Sequence, residues 1–446
     1  MTTRQLHLNA FLMEAGHHEA AWRLPESEAG AGLDVRHYVR LAQIAEAARF
    51  DSIFFADGAT VQGSGEFRIA GQLEPLTLLT AVAAATERIG LIATASTTYN
   101  DPYALARRFA TVDHVSGGRA GWNIVTSATH EEAANFSLAE RPLQATRYER
   151  ADEFLQVAQK LWDSWADDAF VGDKERGRWG DPARIRSIDH EGRFFQVAGP
   201  LNVPRPPQGY PLLVQAGASE QGKAFAAKHA EAIFVAHQTL EQAQAFYTEI
   251  KGRAVAAGRD ADHVLVLPGI VPIIGDTEAE ATALARHLDD LRVPEYGLRQ
   301  LAAFLEVDES ELDLDAALPD HVVERTHREG FDSRSRLVID LAQRESLTVR
   351  QLLGRLGGGR GHNVVIGTPV QVADVIETWF TQGAADGFNV MGAALPSGLE
   401  AFADTVVPIL RERGLFRTEY EGTTLRDHYG LPRPANQLDL VGADVV

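Results

Sequence analysis

The sequence contains no cysteine. That absence excludes disulfides, iron–sulfur clusters, thiolate zinc sites and cysteine nucleophiles, so redox chemistry would need a bound organic cofactor or a non-thiolate metal site. Long apolar runs are missing too. The most apolar stretch, Leu76 to Ala85, is short and interrupted by Thr77 and Thr80, well below the roughly 18 residues a membrane-spanning helix needs. The start of the chain lacks a basic segment followed by an apolar core, so no export signal is expected and a cytoplasmic location is the reading. Basic charge is in deficit: 42 Lys and Arg against 62 Asp and Glu leave a formal net charge of −20. Such a chain repels a phosphate backbone and has no basic stripe to offset this, which argues against a nucleic-acid partner.

Several motifs are absent as well. No G-x-x-x-x-G-K-[ST] occurs, and Gly357-Gly358-Gly359-Arg360-Gly361 lacks G-x-G-x-x-G spacing and a preceding strand, so it reads as a mobile loop. His18-Glu19 and His130-Glu131 both lack the second histidine of H-E-x-x-H, so no metal site is expected.

What remains is a 446-residue chain, 45% hydrophobic and 23% charged, large enough for one barrel with insertions or for two to three average domains. Short β-branched or aromatic runs alternate with helix-period segments. Strands are expected at Leu6–Leu12, Ser52–Ala56, Ile89–Ala95, Ala120–Thr126, Leu212–Ala216, Ala232–Ala236, Val264–Ile274 and Gly387–Gly392, each followed by a helix. The clearest amphipathic helix, Arg147–Trp165, carries Ala151, Phe154, Leu155, Ala158, Leu161, Trp162 and Trp165 on one face. Residues 167–210, with part of a hairpin at Gly192–Val197, and 285–365 break the rhythm and read as insertions. Eight such units favour a closed (β/α)8 TIM barrel forming a single domain over 1–446; an open doubly wound sheet of six or seven strands is the alternative.

In a barrel, functional groups sit at the C-terminal ends of strands. That selects Asp57, Thr94, Ser96, Asn123 to Ser127, Gly217-Ala218-Ser219 and His237, with His17 and His18 beyond the first strand. Gly217 to Ser219 precedes a helix, so its N–H groups could hold an anion; an ordinary serine cap reads the same way. The stretch to Gly222 misses the G-x-S-x-G hydrolase elbow by one residue. Taken alone, His17 and His18 read first as exposed loop residues, and Tyr148 as core.

Whole segments add a further signal. Phe54-Phe55-Ala56-Asp57, Thr94-Ala95-Ser96-Thr97-Thr98, Ser116-Gly117-Gly118-Arg119, Trp122 to Ser127, Arg147 to Phe154, Gln215 to Ser219 and the tail from Phe416 to Leu431 together resemble the flavin-dependent monooxygenases of the bacterial luciferase-like superfamily. The nearest resemblance is to the group that acts on nitrilotriacetate, EDTA and dibenzothiophene sulfone. The resemblance implies a luciferase-like barrel that binds FMN, with Asp57, Thr94 and Asn123 on the ring side and Tyr148, Ala218 and Ser219 at the phosphate. The family usually carries a histidine four residues before the tyrosine; here Gln144 stands there, able to donate a hydrogen bond but not to carry charge.

It further implies a two-component monooxygenase. A separate NAD(P)H:flavin reductase would supply FMNH2, and this chain would use it with O2 to oxidise a small organic substrate, with C–N or C–S cleavage as a frequent outcome. His17, His18 and Ser127 are the candidates for proton handling or for positioning the reactive oxygen. The insertions are candidates for a lid, and a homodimer or homotetramer is expected. A deazaflavin-dependent oxidoreductase of the same superfamily and a non-catalytic flavin-binding protein are the alternatives.

Overall fold

The computed structural model describes residues 4–61, 65–67, 69–127, 129–138, 142–324 and 333–437. Eight strands form its centre: β1 (His7–Leu12), β2 (Ser52–Phe55), β3 (Gly90–Ser96), β4 (Ala120–Val125), β5 (Leu212–Ala216), β6 (Ala232–Val235), β7 (Leu265–Ile274) and β8 (Gly387–Val390). Neighbours in sequence pair in parallel, and β8 returns to β1 with His7 opposite Gly387, so the barrel is closed. The open-sheet alternative is thereby excluded.

Strand alternation builds two cores. Along β2, Ile53 and Phe55 pack outward against the helices while Phe54 points into the barrel; along β3, Leu91, Ala93 and Ala95 face outward and Ile92 inward. This is the period-2 pattern of a closed sheet filled by its own side chains. The helices carry clear stop and start signals. In Pro102–Ser116, Asp101 accepts from the N–H groups of Tyr103 and Ala104, and Gly117 ends the helix at φ 71°. The helix expected at Arg147–Trp165 runs from Gln144 to Trp162.

The first irregular region contains two antiparallel hairpins, Phe170–Asp173 with Arg178–Gly180 and His190–Glu191 with Gln196–Val197. The second is helical and has its own apolar core, including Leu301, Leu305, Ile339 and Leu352. Two features there depart from expectation. β7 continues past the barrel, where Ile270 to Ile274 pair with an added strand, Asn363–Gly367. The glycine run is not a loop: it ends the helix Val349–Gly359, and Arg360 (φ 45°) and Gly361 (φ 92°) turn the chain toward that strand. No described helix is long and apolar enough to cross a membrane.

The N-terminal end of the barrel is closed by the last described segment. Leu425 and Tyr429 enter the inner core, and Tyr429 Oη donates to Asn9 Oδ1 at 2.5 Å. Beneath them Asp51 accepts from Leu8 N (2.7 Å) and Arg417 Nη2 (2.5 Å), with His7 Nδ1 at 2.9 Å. Burial alone would raise the Asp51 carboxyl, but Arg417 and His7 hold it below the usual range.

Candidate active site

The open, C-terminal end of the barrel gathers most of the expected residues into two groups. The first surrounds the turn after β5. Ser219 caps the helix Glu220–His229, its Oγ accepting from Gly222 N at 3.1 Å. Gln144, in the first turn of its own helix, points its amide at the same hydroxyl, with Nε2 3.4 Å from Oγ. The Tyr148 hydroxyl closes the third side: a Cβ added at Gly222 would sit 3.1 Å from both Ser219 Oγ and Tyr148 Oη. At Gly217 (φ 155°) an added Cβ would fall 2.9 Å from Gln215 Nε2. Two glycines therefore keep open a small space lined by two hydroxyls and two amides at a helix N-terminus, which suits a phosphate. Glu220, which would repel one, is engaged by Lys223 (2.9 Å) and Arg253 (2.7 Å). Those hydrogen bonds hold its carboxyl below its usual range.

The second group lies on adjacent strands. Thr94 Oγ1 donates to the Phe55 carbonyl at 2.9 Å and accepts from Asn123 Nδ2 at 2.8 Å. That leaves Asn123 Oδ1, and likewise Gln215 Oε1, as buried acceptors with no hydrogen-bond partner in the structure. An unpaired buried acceptor costs about 1–3 kcal/mol, a cost that a ligand presenting ring N–H groups relieves. Ser127 holds a left-handed backbone (φ 42°) and donates to Ser96 Oγ at 2.9 Å; strain of this kind in a non-glycine residue gathers at functional sites.

Asp57 stands apart. It is solvent-accessible and accepts from Gln72 Nε2 at 3.0 Å. Desolvation by the surrounding protein nevertheless raises its carboxyl above the usual range, with Glu74 and Glu132 pushing the same way.

His17 and His18 are both buried, at 3% exposed each, which overturns the exposed-loop reading. Their directions differ. The His17 ring meets Phe11 (6.2 Å) and His362 (5.8 Å) edge-on. His18 Nε2 lies 3.5 Å from Asp289 Oδ1 of the helical insertion. Aromatic residues not anticipated from the sequence line the barrel top: Phe11 stacks on Phe54 (5.2 Å), Phe54 meets Phe234 (5.6 Å), and His362 lies flat on Phe234 (5.2 Å). Their inward register near strand ends was the available signal for Phe11, Phe54 and Phe234. His362, from a distant insertion, had none. Among the described residues no group of three His, Asp or Glu could hold a metal ion.

His237, just beyond β6, packs on Phe246 at 5.0 Å, and burial pushes its pKa down to about 4. Burial does the same to His428 at the barrel floor. Both start from 6.5 in the unfolded chain. Between these values the unfolded chain binds more protons, so stability is full above pH 6.5 and falls as pH drops toward 4, by up to about 3 kcal/mol per histidine. Urea midpoints should therefore fall between pH 7.5 and 5, and His428→Phe should flatten that slope. Equal midpoints at the two pH values would refute the assignment.

Residues 14–386 match the luciferase-like monooxygenase family. The chain is 46% identical over 435 residues to N-acetyl-S-(2-succino)cysteine monooxygenase of Bacillus subtilis, covering 97% of this chain and 98% of the relative. It is 45% identical over 448 residues to nitrilotriacetate monooxygenase component A of Aminobacter aminovorans, covering 98% of each. Among solved structures, EDTA monooxygenase from Chelativorans sp. BNC1 is 37% identical, with a TM-score of 0.78 over 96% of this chain and 99% of that one. The chain is a member of the luciferase-like monooxygenase family.

Proposed function

We propose that this protein is the oxygenase component of a two-component system. It would bind FMNH2 delivered by a separate NAD(P)H:flavin reductase and use O2 to oxidise a small organic substrate. The observation that carries this reading is the space bounded by Gln144, Tyr148, Gly217, Ser219 and Gly222, whose donors fit a flavin phosphate. Ala218 contributes backbone to that turn, and Thr94 and Asn123 would lie along the ring, with Asn123 Oδ1 free to accept from a ring N–H; Asp57 is assigned to the ring side by family resemblance alone.

Bound reduced flavin supplies the electrons that activate oxygen. The chain's own residues orient the ring, and the aromatic lining of Phe11, Phe54 and Phe234 excludes water. His17 and Ser127 are the proposed residues for proton handling, since the His17 ring meets Phe11 of that lining and Ser127 lies just beyond the strand that carries Asn123. The designation "component A" of the nitrilotriacetate relative supports a reductase partner. The substrates of two relatives, nitrilotriacetate and N-acetyl-S-(2-succino)cysteine, are the first candidates to try. A cytoplasmic homodimer or homotetramer completes the proposal.

The test is oxygen uptake with chemically reduced FMN and a panel containing nitrilotriacetate and N-acetyl-S-(2-succino)cysteine. Product formed in step with oxygen consumed is expected for at least one small substrate. Turnover with a reduced deazaflavin in the absence of oxygen would replace this reading by hydride transfer, and FMN binding without any product would reduce it to flavin binding alone.

A further inference from the structure

His18 and Glu19 face away from the aromatic lining and toward the helical insertion. Arg292 Nε donates to Glu19 Oε1 at 2.8 Å, with the two side chains only 11% and 18% exposed. Arg292 Nη1 stands 3.8 Å from Asp289 Oδ1, and the same oxygen is 3.5 Å from His18 Nε2. Nearby, Arg23 Nη1 donates to the Leu291 carbonyl. Asp289 to Arg292 is where the helix Glu278–Asp290 gives way to Pro294–Leu305, the first helix of the insertion. The far junction reaches the same place. Gly358 lies beside the His18 ring, where an added Cβ would be 3.4 Å from Cδ2, and His362 meets His17 at 5.8 Å.

Both ends of the insertion thus close on one tripeptide, His17-His18-Glu19. That tripeptide is itself pinned to the barrel, with His17 N donating to the Gly392 carbonyl (2.8 Å) and His18 N to that of Ala393 (3.0 Å) just beyond β8. The insertion helices have a separate core, so their local opening can be read apart from that of the barrel.

We propose that His18 and Glu19 are positioning residues. Through Asp289 and Arg292 they fasten the near end of the insertion to the barrel mouth, while the pairing of Asn363–Gly367 with β7 holds the far end. His18 on this assignment carries no proton in the reaction.

The test is hydrogen exchange on the full chain without ligand, comparing wild type with Glu19→Gln, Arg292→Gln and the double variant. Removing one partner of a largely buried pair loosens whatever it joins, so amide exchange in Pro294–Leu305 and Val349–Gly359 should quicken by about tenfold in either single variant. The double variant should be no faster than the singles, because one link is lost only once, and β1 to β4 should be unchanged. Unaltered exchange, additive effects, or acceleration spread over the barrel strands would overturn the proposal.

A second arm rests on the proposed oxygenase reading: His18→Asn should leave the pH profile of oxygen uptake in place while lowering product formed per oxygen consumed. A shifted profile would make His18 a proton carrier and overturn the assignment. If FMN supports no oxygen uptake at all, the oxygenase reading fails while the exchange measurements still decide this one.

Discussion

Ser219→Asp is expected to weaken FMN binding by roughly two orders of magnitude or more while leaving the fold intact. Aspartate caps a helix as well as serine does, so Gly222 N keeps its acceptor and the helix Glu220–His229 keeps its start. What changes is charge. A carboxylate placed at the oxygen now facing Gln144 and Tyr148 would oppose a phosphate, and like charges at such distances cost several kcal/mol, each 1.4 kcal/mol being about tenfold in affinity. Quenching of FMN fluorescence on titration measures the loss, and the thermal midpoint should stay within about 2 °C of wild type. Unchanged affinity would place the phosphate elsewhere and remove the main support for the flavin reading. Gln144 sharpens the contrast. Because it carries no charge, wild-type affinity should vary little across pH 6 to 8 on its account.

The largest stability effect is expected at the barrel floor. Asp51→Ala removes the carboxylate from Arg417, whose side chain is 3% exposed, leaving its Nη2 only the His428 carbonyl while Nε and Nη1 already lack acceptors. Breaking a buried ion pair from one side costs about 3–5 kcal/mol because it strands a desolvated charge. Arg417→Met should cost less than Asp51→Ala, since Asp51 would keep Leu8 N and His7 Nδ1. Chemical denaturation of the two variants measures the order, and a milder Asp51→Ala would contradict it.

The eight strands were legible because each is a mainly apolar run alternating with helix-period segments, and several, such as Gly90–Ser96, end in a polar residue. The glycine run was misread because local rules favour a turn there. Leu352 and Leu353 just upstream pack into the insertion's core and carry the helix through to Gly359, so tertiary packing overrode propensity. The strand Asn363–Gly367 was hidden inside a region of broken rhythm, although its β-branched centre was a usable sign.

For the site, strand ends named Thr94, Asn123, Ser127 and Ser219 from local pattern. The glycine roles of Gly217 and Gly222, and the convergence of Gln144 and Tyr148 on Ser219, depend on residues some 75 positions apart and could enter only through family resemblance. His18 shows the limit plainly. Its neighbours in sequence point to the mouth, yet its contacts are with Asp289 and Gly358, brought there by the insertion.

The floor also imposes an order of assembly. Asn9, in the first strand, is bonded to Tyr429, and Asp51, before the second, to Arg417. These pairings join segments 420 and 366 residues apart. During synthesis β1 stays unpaired on one side until β8 has been made, and Asn9 and Asp51 wait longer still for Tyr429 and Arg417. Contacts this distant in sequence slow folding and lengthen the exposure of sticky intermediates. Nascent chains of this protein are therefore expected to lean on holding chaperones until the segment carrying Arg417 and Tyr429 emerges.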